Sequence, residues 1–296
     1  MAKSVILLIT PIYAKVSTMK KSVLITGCSG GIGLCVAKGL KQAGYQVFAT
    51  ARQEKDVVML KTQGFEAWQL DLSSSESINT AIKAIFEKTT HLYGLIHNGA
   101  YGQVGALEDI SRQTLEAQFQ TNVFGWHELT NLVLPKMKKQ NEGRIIYLSS
   151  VLGFVAMPFR GPYNASKFAI EGLVNTLRLE LAHTNIKLCL IQPGPIESDF
   201  RLNAYKAFMR NVDMENSDYQ VSYQKMIVRL QSKELTDFTL PAEAVLKCCL
   251  HALSAKRAKI HYHVTFPTKL FAFLIRVLPA FLMDKILSKV GGGGQR

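Results

Sequence analysis

The 296-residue chain is poor in acid and in cysteine: 22 Asp and Glu stand against 35 Lys and Arg, and there are five cysteines. Cys28, Cys35, Cys189, Cys248 and Cys249 form no C-x-x-C pair and mostly fall in apolar helix or strand patterns. That excludes a disulfide framework and a zinc site, and predicts reduced, buried thiols in a cytoplasmic protein with no metal. Long apolar runs are also missing. "SVILLITPIYA" near the N-terminus follows a lysine, as in a weak signal peptide, but Pro11 breaks it and it is too short to span a bilayer. Met19 directly precedes "KKSVLITG", so residues 1–20 read more simply as an extension ahead of the domain. No internal repeat or low-complexity linker is present, and 48% hydrophobic with 19% charged residues is ordinary globular composition, so one large domain is expected.

The missing acid is unevenly distributed. Of the net charge of +13, residues 1–21 carry four lysines and no acid, while 256–296 carry eight Lys or Arg against Asp284 alone. The stretch between them is nearly neutral, which excludes the continuous basic surface of a nucleic-acid binder. The C-terminal excess is interleaved with apolar residues in "FPTKLFAFLIRVLPAFLMDKILSKV", which Pro279 divides into two short amphipathic pieces. Such a segment, 266–290, can be ordinary core packing, cap an apolar pocket, pack on a partner chain as in a homo-oligomer, or rest weakly on the inner, anionic face of a membrane. The closing residues 291–296, "GGGGQR", read as a flexible tail.

Between these ends, strand-like and helix-like segments alternate. Strands are predicted at 22–26, 45–50, 65–70, 92–98, 143–150 and 186–192, with helices following the first glycines and over 53–63, 75–89, 111–139 and 161–184. This order predicts an α/β fold: a Rossmann-type doubly wound parallel sheet in a single domain, 21–265, with right-handed crossovers. Ligands of such sheets bind beyond the carboxyl ends of the strands. Asp71, Asn98, Ser149, Ser150, Pro193 and Gly194 stand just after strands three to six and would ring one crevice, although a helix cap or a turn would explain each alone.

Two stretches carry chemistry. In "VLITGCSGGIGLCVAKGL", Gly27, Gly31 and Gly33 join an apolar strand to a helix with the spacing G-x3-G-x-G. Glycine permits so tight a turn and so close a backbone, and the free N–H groups at the helix start suit a phosphate. In "GPYNASKFAIEGL", Tyr163 and Lys167 are four apart and share a helix face, so the ammonium is expected to pull the phenol below its usual pKa of ~10. Ser150, 13 residues earlier, can supply a second hydrogen bond to a substrate oxygen.

"TGCSGGIG", "HNGA", "TNVFG", "YLSS", "YNASK" and "PGPIES", in that order, resemble the short-chain dehydrogenase/reductase family over about residues 20–265, and within it the retinol dehydrogenase and 17β-hydroxysteroid dehydrogenase-like group, which includes bacterial NADP-dependent aldehyde reductases. The resemblance implies that Tyr163 is the proton donor in reduction and acceptor in oxidation. Lys167 would lower its pKa and hold the nicotinamide ribose, Ser150 would polarise the carbonyl, and Asn122 would hold a water leading from Lys167 to solvent. It also implies that Gly27, Ser29, Gly31, Ile32 and Gly33 border the pyrophosphate and adjoining ribose, Asp71 and Leu72 the adenine, Asn98 the nearby ribose, and Pro193, Ile196 and Ser198 the nicotinamide end. Two departures are visible: "NGA" replaces the family's N-A-G after strand four, which bears on the Asn98 contact, and Ser198 stands where threonine is common.

Cofactor choice follows from charge. After strand two the sequence reads "FATARQ", with Ala51 in place of the acid that would bind an NAD ribose and Arg52 suited to a 2'-phosphate, so NADP (NADPH) is expected. A solvated arginine at a helix start is the plainer explanation of Arg52. The loop after Ser150 and residues 200–240, rich in Phe, Met, Leu and Tyr, predict a small apolar aldehyde, ketone or alcohol as substrate. The alternative is a non-catalytic NADP-binding sensor or scaffold docked through its basic ends. The intact Ser150, Tyr163, Lys167 and Asn122 argue against it.

Overall fold

A computed structural model of the chain describes residues 20–290 apart from 233 and 236; the expected N-terminal extension, save Lys20, and the tail 291–296 lie outside the described residues. Each predicted strand forms: β1 (Ser22–Ile25), β2 (Gln46–Ala51), β3 (Glu66–Gln69), β4 (Leu92–His97), β5 (Gly143–Leu148) and β6 (Ile186–Gln192). A seventh, β7 (His261–His263), was not foreseen, because three residues reading His-Tyr-His carry no apolar run. All pair in parallel in the order β3-β2-β1-β4-β5-β6-β7. The order reverses between β1 and β4, the switch point where a crevice opens in such sheets.

Alternation along the buried strands divides the core into two layers. Val23 and Ile25 of β1 point to one face, where α1 (Gly31–Gln42), α2 (Glu54–Thr62) and α9 (Glu243–Ser254) bring Val36, Leu40, Val57, Leu60, Val245 and Leu253. Leu24 points to the other, under α3 (Ser75–Lys88), α5 (Gly125–Gln140) and α6 (Gly161–Glu180), which supply Ile78, Ile85, Leu129, Val133, Ile170 and Val174. Cys28, Cys189 and Cys249 are buried in the first layer as free thiols.

The helix expected over 111–139 is not continuous. It runs as α4 (Arg112–Phe119), loosens into a π turn over Gln120–Phe124 with Gly125 N–H donating to Gln120 C=O, and resumes as α5. No proline or glycine precedes the break. Tertiary contacts of Asn122, described below, hold the wider turn. The helix expected over 161–184 ends at Glu180. Beyond β6 come α7 (Phe200–Asn211) and α8 (Gln220–Gln231), which build a small third core around Phe208, Tyr223 and Met226. The chain then closes with α10 (Phe266–Val277) and α11 (Ala280–Val290), separated at Pro279 as the sequence suggests. No helix among the described residues is long and apolar enough to cross a membrane.

Candidate active site

The glycine turn is built by contact with the next strand. Gly27 has φ +71°, and a Cβ there would lie 2.6 Å from Gly99 Cα; a Cβ on Gly33 would lie 2.1 Å from Gly27 O. Both are backbone collisions, so these positions exclude any side chain. Thr26 Oγ1 accepts from the N–H groups of Asn98 and Gly99, and Asn98 Nδ2 donates to Thr26 O at 2.8 Å and Gly27 O at 2.9 Å. Asn98 thus clamps the ends of β1 and β4 together, a role its position alone did not disclose. The altered "NGA" order also acquires a reason, since glycine at 99 is the residue that Gly27 and the Leu72 side chain crowd.

α1 begins at Gly31 with no side-chain cap and no acid in its first turn, leaving its N–H groups and positive dipole end directed at the crevice. Ser29 is exposed beside it and Ile32 half-buried. Above this end sits the loop after β6, where Ser198 Cβ is 3.2 Å from a Cβ position on Gly31. Ile196 pairs with Leu240, and Pro193 O accepts from Val151 N at 2.8 Å, joining the loops after β5 and β6. Asp71 accepts from Ser73 N and Oγ, forming the turn before α3, whose cap is Ser74; Leu72 is buried against Gly99 and Gly125. The cradle and the uncapped helix start, with no acid in its first turn, fit a nicotinamide dinucleotide's pyrophosphate; the nearest carboxylate is that of Asp199, whose Oδ2 lies 3.8 Å from a Cβ position on Gly30. Arg52 lies exposed at the end of β2, and its charge, with that of Arg210, acts on the Tyr101 phenol.

Ser150, Tyr163, Lys167 and Asn122 converge at the ends of β4 and β5. Ser150 Oγ accepts from Leu152 N at 3.1 Å, fixing the start of the following turn, and is hydrogen-bonded to the Tyr163 side chain. Asn122 spends its amide on structure: Oδ1 accepts from Tyr101 N at 3.2 Å, and Nδ2 donates to Tyr101 O at 2.9 Å and Ser166 Oγ at 3.1 Å. It therefore ties the strand-four loop to α6 and accounts for the π turn.

One expectation is corrected. Burial pushes Tyr163 up to about 12, opposed by its bond to Ser150, and this rise outweighs any lowering by Lys167. The ammonium instead donates to Leu148 O at 2.8 Å and sits 4.3 Å from the centre of the Trp126 ring, against 5.7 Å from that of Tyr163. Buried to 1% exposure, Lys167 is itself pushed down to about 7 by desolvation, with the Glu171 carboxylate opposing the fall. Helical spacing foretold a shared face but not where the ammonium points along it.

Three neighbours escaped the sequence reading. Trp126 supplies the aromatic face under Lys167 and donates Nε1–H to Gly99 O at 2.8 Å. His97, fully buried and stacked between Trp126 and Tyr147, is held neutral. Glu171, which accepts from Gln192 Nε2 at 2.8 Å, continues the Tyr163 and Lys167 face by one further turn, a spacing that could have revealed it.

The walls around Tyr163 are apolar. The Phe200 ring, at the start of α7, lies 5.2 Å from the Tyr163 ring. Phe271 of α10 and Met283 of α11 bury themselves against Leu152 and Val155 of the loop after Ser150, with Tyr163 packed at the edge of the cluster. The Pro193-Gly194 turn rests on Thr265 and Thr268 at the start of α10, whose hydroxyls bond each other at 2.9 Å.

Residues 21–208 match the family described as short chain dehydrogenase. The chain belongs to that family. The oxidoreductase YbbO of Escherichia coli K12 is 42% identical over 270 residues, covering 91% of this chain and 94% of the relative. Retinol dehydrogenase 16 of Mus musculus is 30% identical over 283 residues, covering 90% and 87%. A crystal structure of a short-chain dehydrogenase from Streptomyces avermitilis, 23% identical, has the same fold, with a TM-score of 0.72 over 94% of this chain and 99% of that one. As a short-chain dehydrogenase/reductase of the retinol dehydrogenase-like kind, the protein is an oxidoreductase acting on CH–OH and carbonyl groups.

Proposed function

We propose that the protein is an NADPH-dependent reductase of apolar aldehydes and ketones. The observation that carries this reading is the hydrogen-bonded Ser150 and Tyr163 pair beneath the apolar walls of Phe200, Leu152, Val155 and Phe271. The cofactor, when bound, supplies or accepts a hydride at its nicotinamide. The glycine turn of Gly27, Gly31 and Gly33, with Ser29 and Ile32, would hold its pyrophosphate; Asp71, Leu72 and Asn98 would border the adenosine half, and Pro193, Ile196 and Ser198 the nicotinamide half. Arg52, facing no acid on β2, supports a 2'-phosphate and hence NADP.

In reduction the substrate carbonyl oxygen sits between Ser150 Oγ and Tyr163 Oη. Ser150 donates a hydrogen bond that polarises it, and Tyr163 gives it a proton as the oxygen gains negative charge. With burial raising its pKa to about 12, the phenol is protonated at neutral pH, the form that donates in reduction. Lys167 holds positive charge below about pH 7 beside the phenolate that this transfer creates, and Asn122 fixes the π turn through which a water would lead its proton to solvent. The substrate's apolar chain is excluded from water by Phe200 and the α10–α11 hairpin.

The test is NADPH oxidation at 340 nm with a series of straight-chain aldehydes and ketones. Turnover that rises with chain length is expected. Turnover confined to short or charged carbonyls, or equal use of NADH, would overturn the reading.

A further inference from the structure

α10 and α11 bury one face against the site and leave another uncovered. On α10, Phe266, Leu270, Phe273 and Val277 recur at spacings of four, three and four and form one stripe, between 40% and 61% exposed. Phe238 extends it, its ring centre 5.4 Å from that of Phe266 in a tilted contact, with both side chains exposed. On α11, Phe281 at 61% and Leu282 at 36% continue the uncovered surface. Lys269 and Arg276 border one side of the α10 stripe, and Lys285 and Lys289 lie on the exposed side of α11; all four are exposed. Asp284 is the sole acid of the two helices.

We propose that this hairpin docks the protein on an anionic lipid bilayer. The charge pattern selects that occupant over a second copy of the chain. A two-fold contact would set this basic rim against itself, whereas a bilayer lets Phe273 and Phe281 enter the acyl boundary while Lys and Arg reach back to lipid phosphates. At 12 and 11 residues the helices are each under about 20 Å long, so they lie in the membrane plane and do not cross it. The apolar faces turned inward and outward are different residues. Phe271, Leu274 and Met283 serve the wall of the site; Phe273 and Phe281 serve the surface.

The experiment is sedimentation of the full-length protein with phosphatidylglycerol-containing vesicles and with pure phosphatidylcholine vesicles, at about 0.05 M and about 0.5 M salt. Binding to the anionic vesicles that weakens in high salt is expected, with each basic residue contributing about fivefold. Phe273→Ser with Phe281→Ser, and separately Lys269→Glu with Lys285→Glu and Lys289→Glu, should each weaken binding by at least about tenfold while the melting temperature stays nearly constant. Absence of binding by the unmodified protein, or binding that both variants keep, would overturn the proposal. So would a concentration-dependent dimer that the phenylalanine variant dissolves, since the face would then belong to a second copy.

Discussion

Replacing Lys167 with methionine should make the protein more stable while removing its activity. The ammonium is 1% exposed and lowered from 10.5 to about 7, and at 1.36 kcal/mol per pH unit that displacement represents on the order of 5 kcal/mol. Methionine removes the charge, keeps most of the volume and leaves Leu148 O without its donor, a loss of roughly 1 kcal/mol, so a net gain of about 2 to 4 kcal/mol is expected at pH 6. The pH dependence is diagnostic. Between about 7 and 10.5 the unfolded chain holds a proton on this lysine that the folded chain has released, so this lysine's contribution to stability should rise through that window by up to about 1.36 kcal/mol per pH unit, opposed above about 9 by Cys28 and Cys189, whose thiols burial keeps protonated in the folded chain. Below about 7 both states hold it and the contribution is flat. The variant should lack this rise. Urea unfolding without added cofactor, at a series of pH values, gives both quantities from the midpoint at constant slope. Equal or lower stability of the variant at pH 6, or the same pH rise in both proteins, would refute the burial argument.

Gly33→Ala should weaken cofactor binding at least about tenfold, measured by fluorescence titration, because its methyl would meet a backbone oxygen that cannot move without opening the turn. Arg52→Ala should lower NADPH affinity about ten- to a hundredfold and leave NADH affinity nearly unchanged, as two cofactor titrations would show. Phe271→Ala should cost about 3 to 5 kcal/mol in urea unfolding and raise KM for long aldehydes more than for short ones.

Much of this was legible because parallel strands declare themselves. "IKLCLIQ", apolar but for Lys187 and the closing Gln192, became β6 without adjustment, and the apolar run of β1 is buried as expected, its residues divided between two core layers. β7 was illegible because its three residues are held by pairing to β6 and not by their own pattern. The π turn at 120–124 escaped for a related reason: nothing in "QTNVF" breaks a helix, and the cause is the bond from Asn122 to Tyr101, 21 residues away. In the site, types and spacings could be read and directions could not. Tyr163 and Lys167 do share a face of α6, yet the ammonium addresses a carbonyl of β5, and burial of the phenol outweighs any help from it. Asn98 was read toward a ribose, but its amide nitrogen is committed to the glycine turn.

The central claim is that Tyr163 Oη delivers the proton to the carbonyl oxygen. The most direct measurement is NADPH oxidation by Tyr163→Phe beside the unmodified protein, with the same aldehyde and with NADPH affinity measured separately. The account predicts a fall in kcat of about a hundred- to ten-thousandfold, with cofactor affinity within about twofold since the phosphate cradle is untouched. Turnover retained within about tenfold by that variant would contradict it.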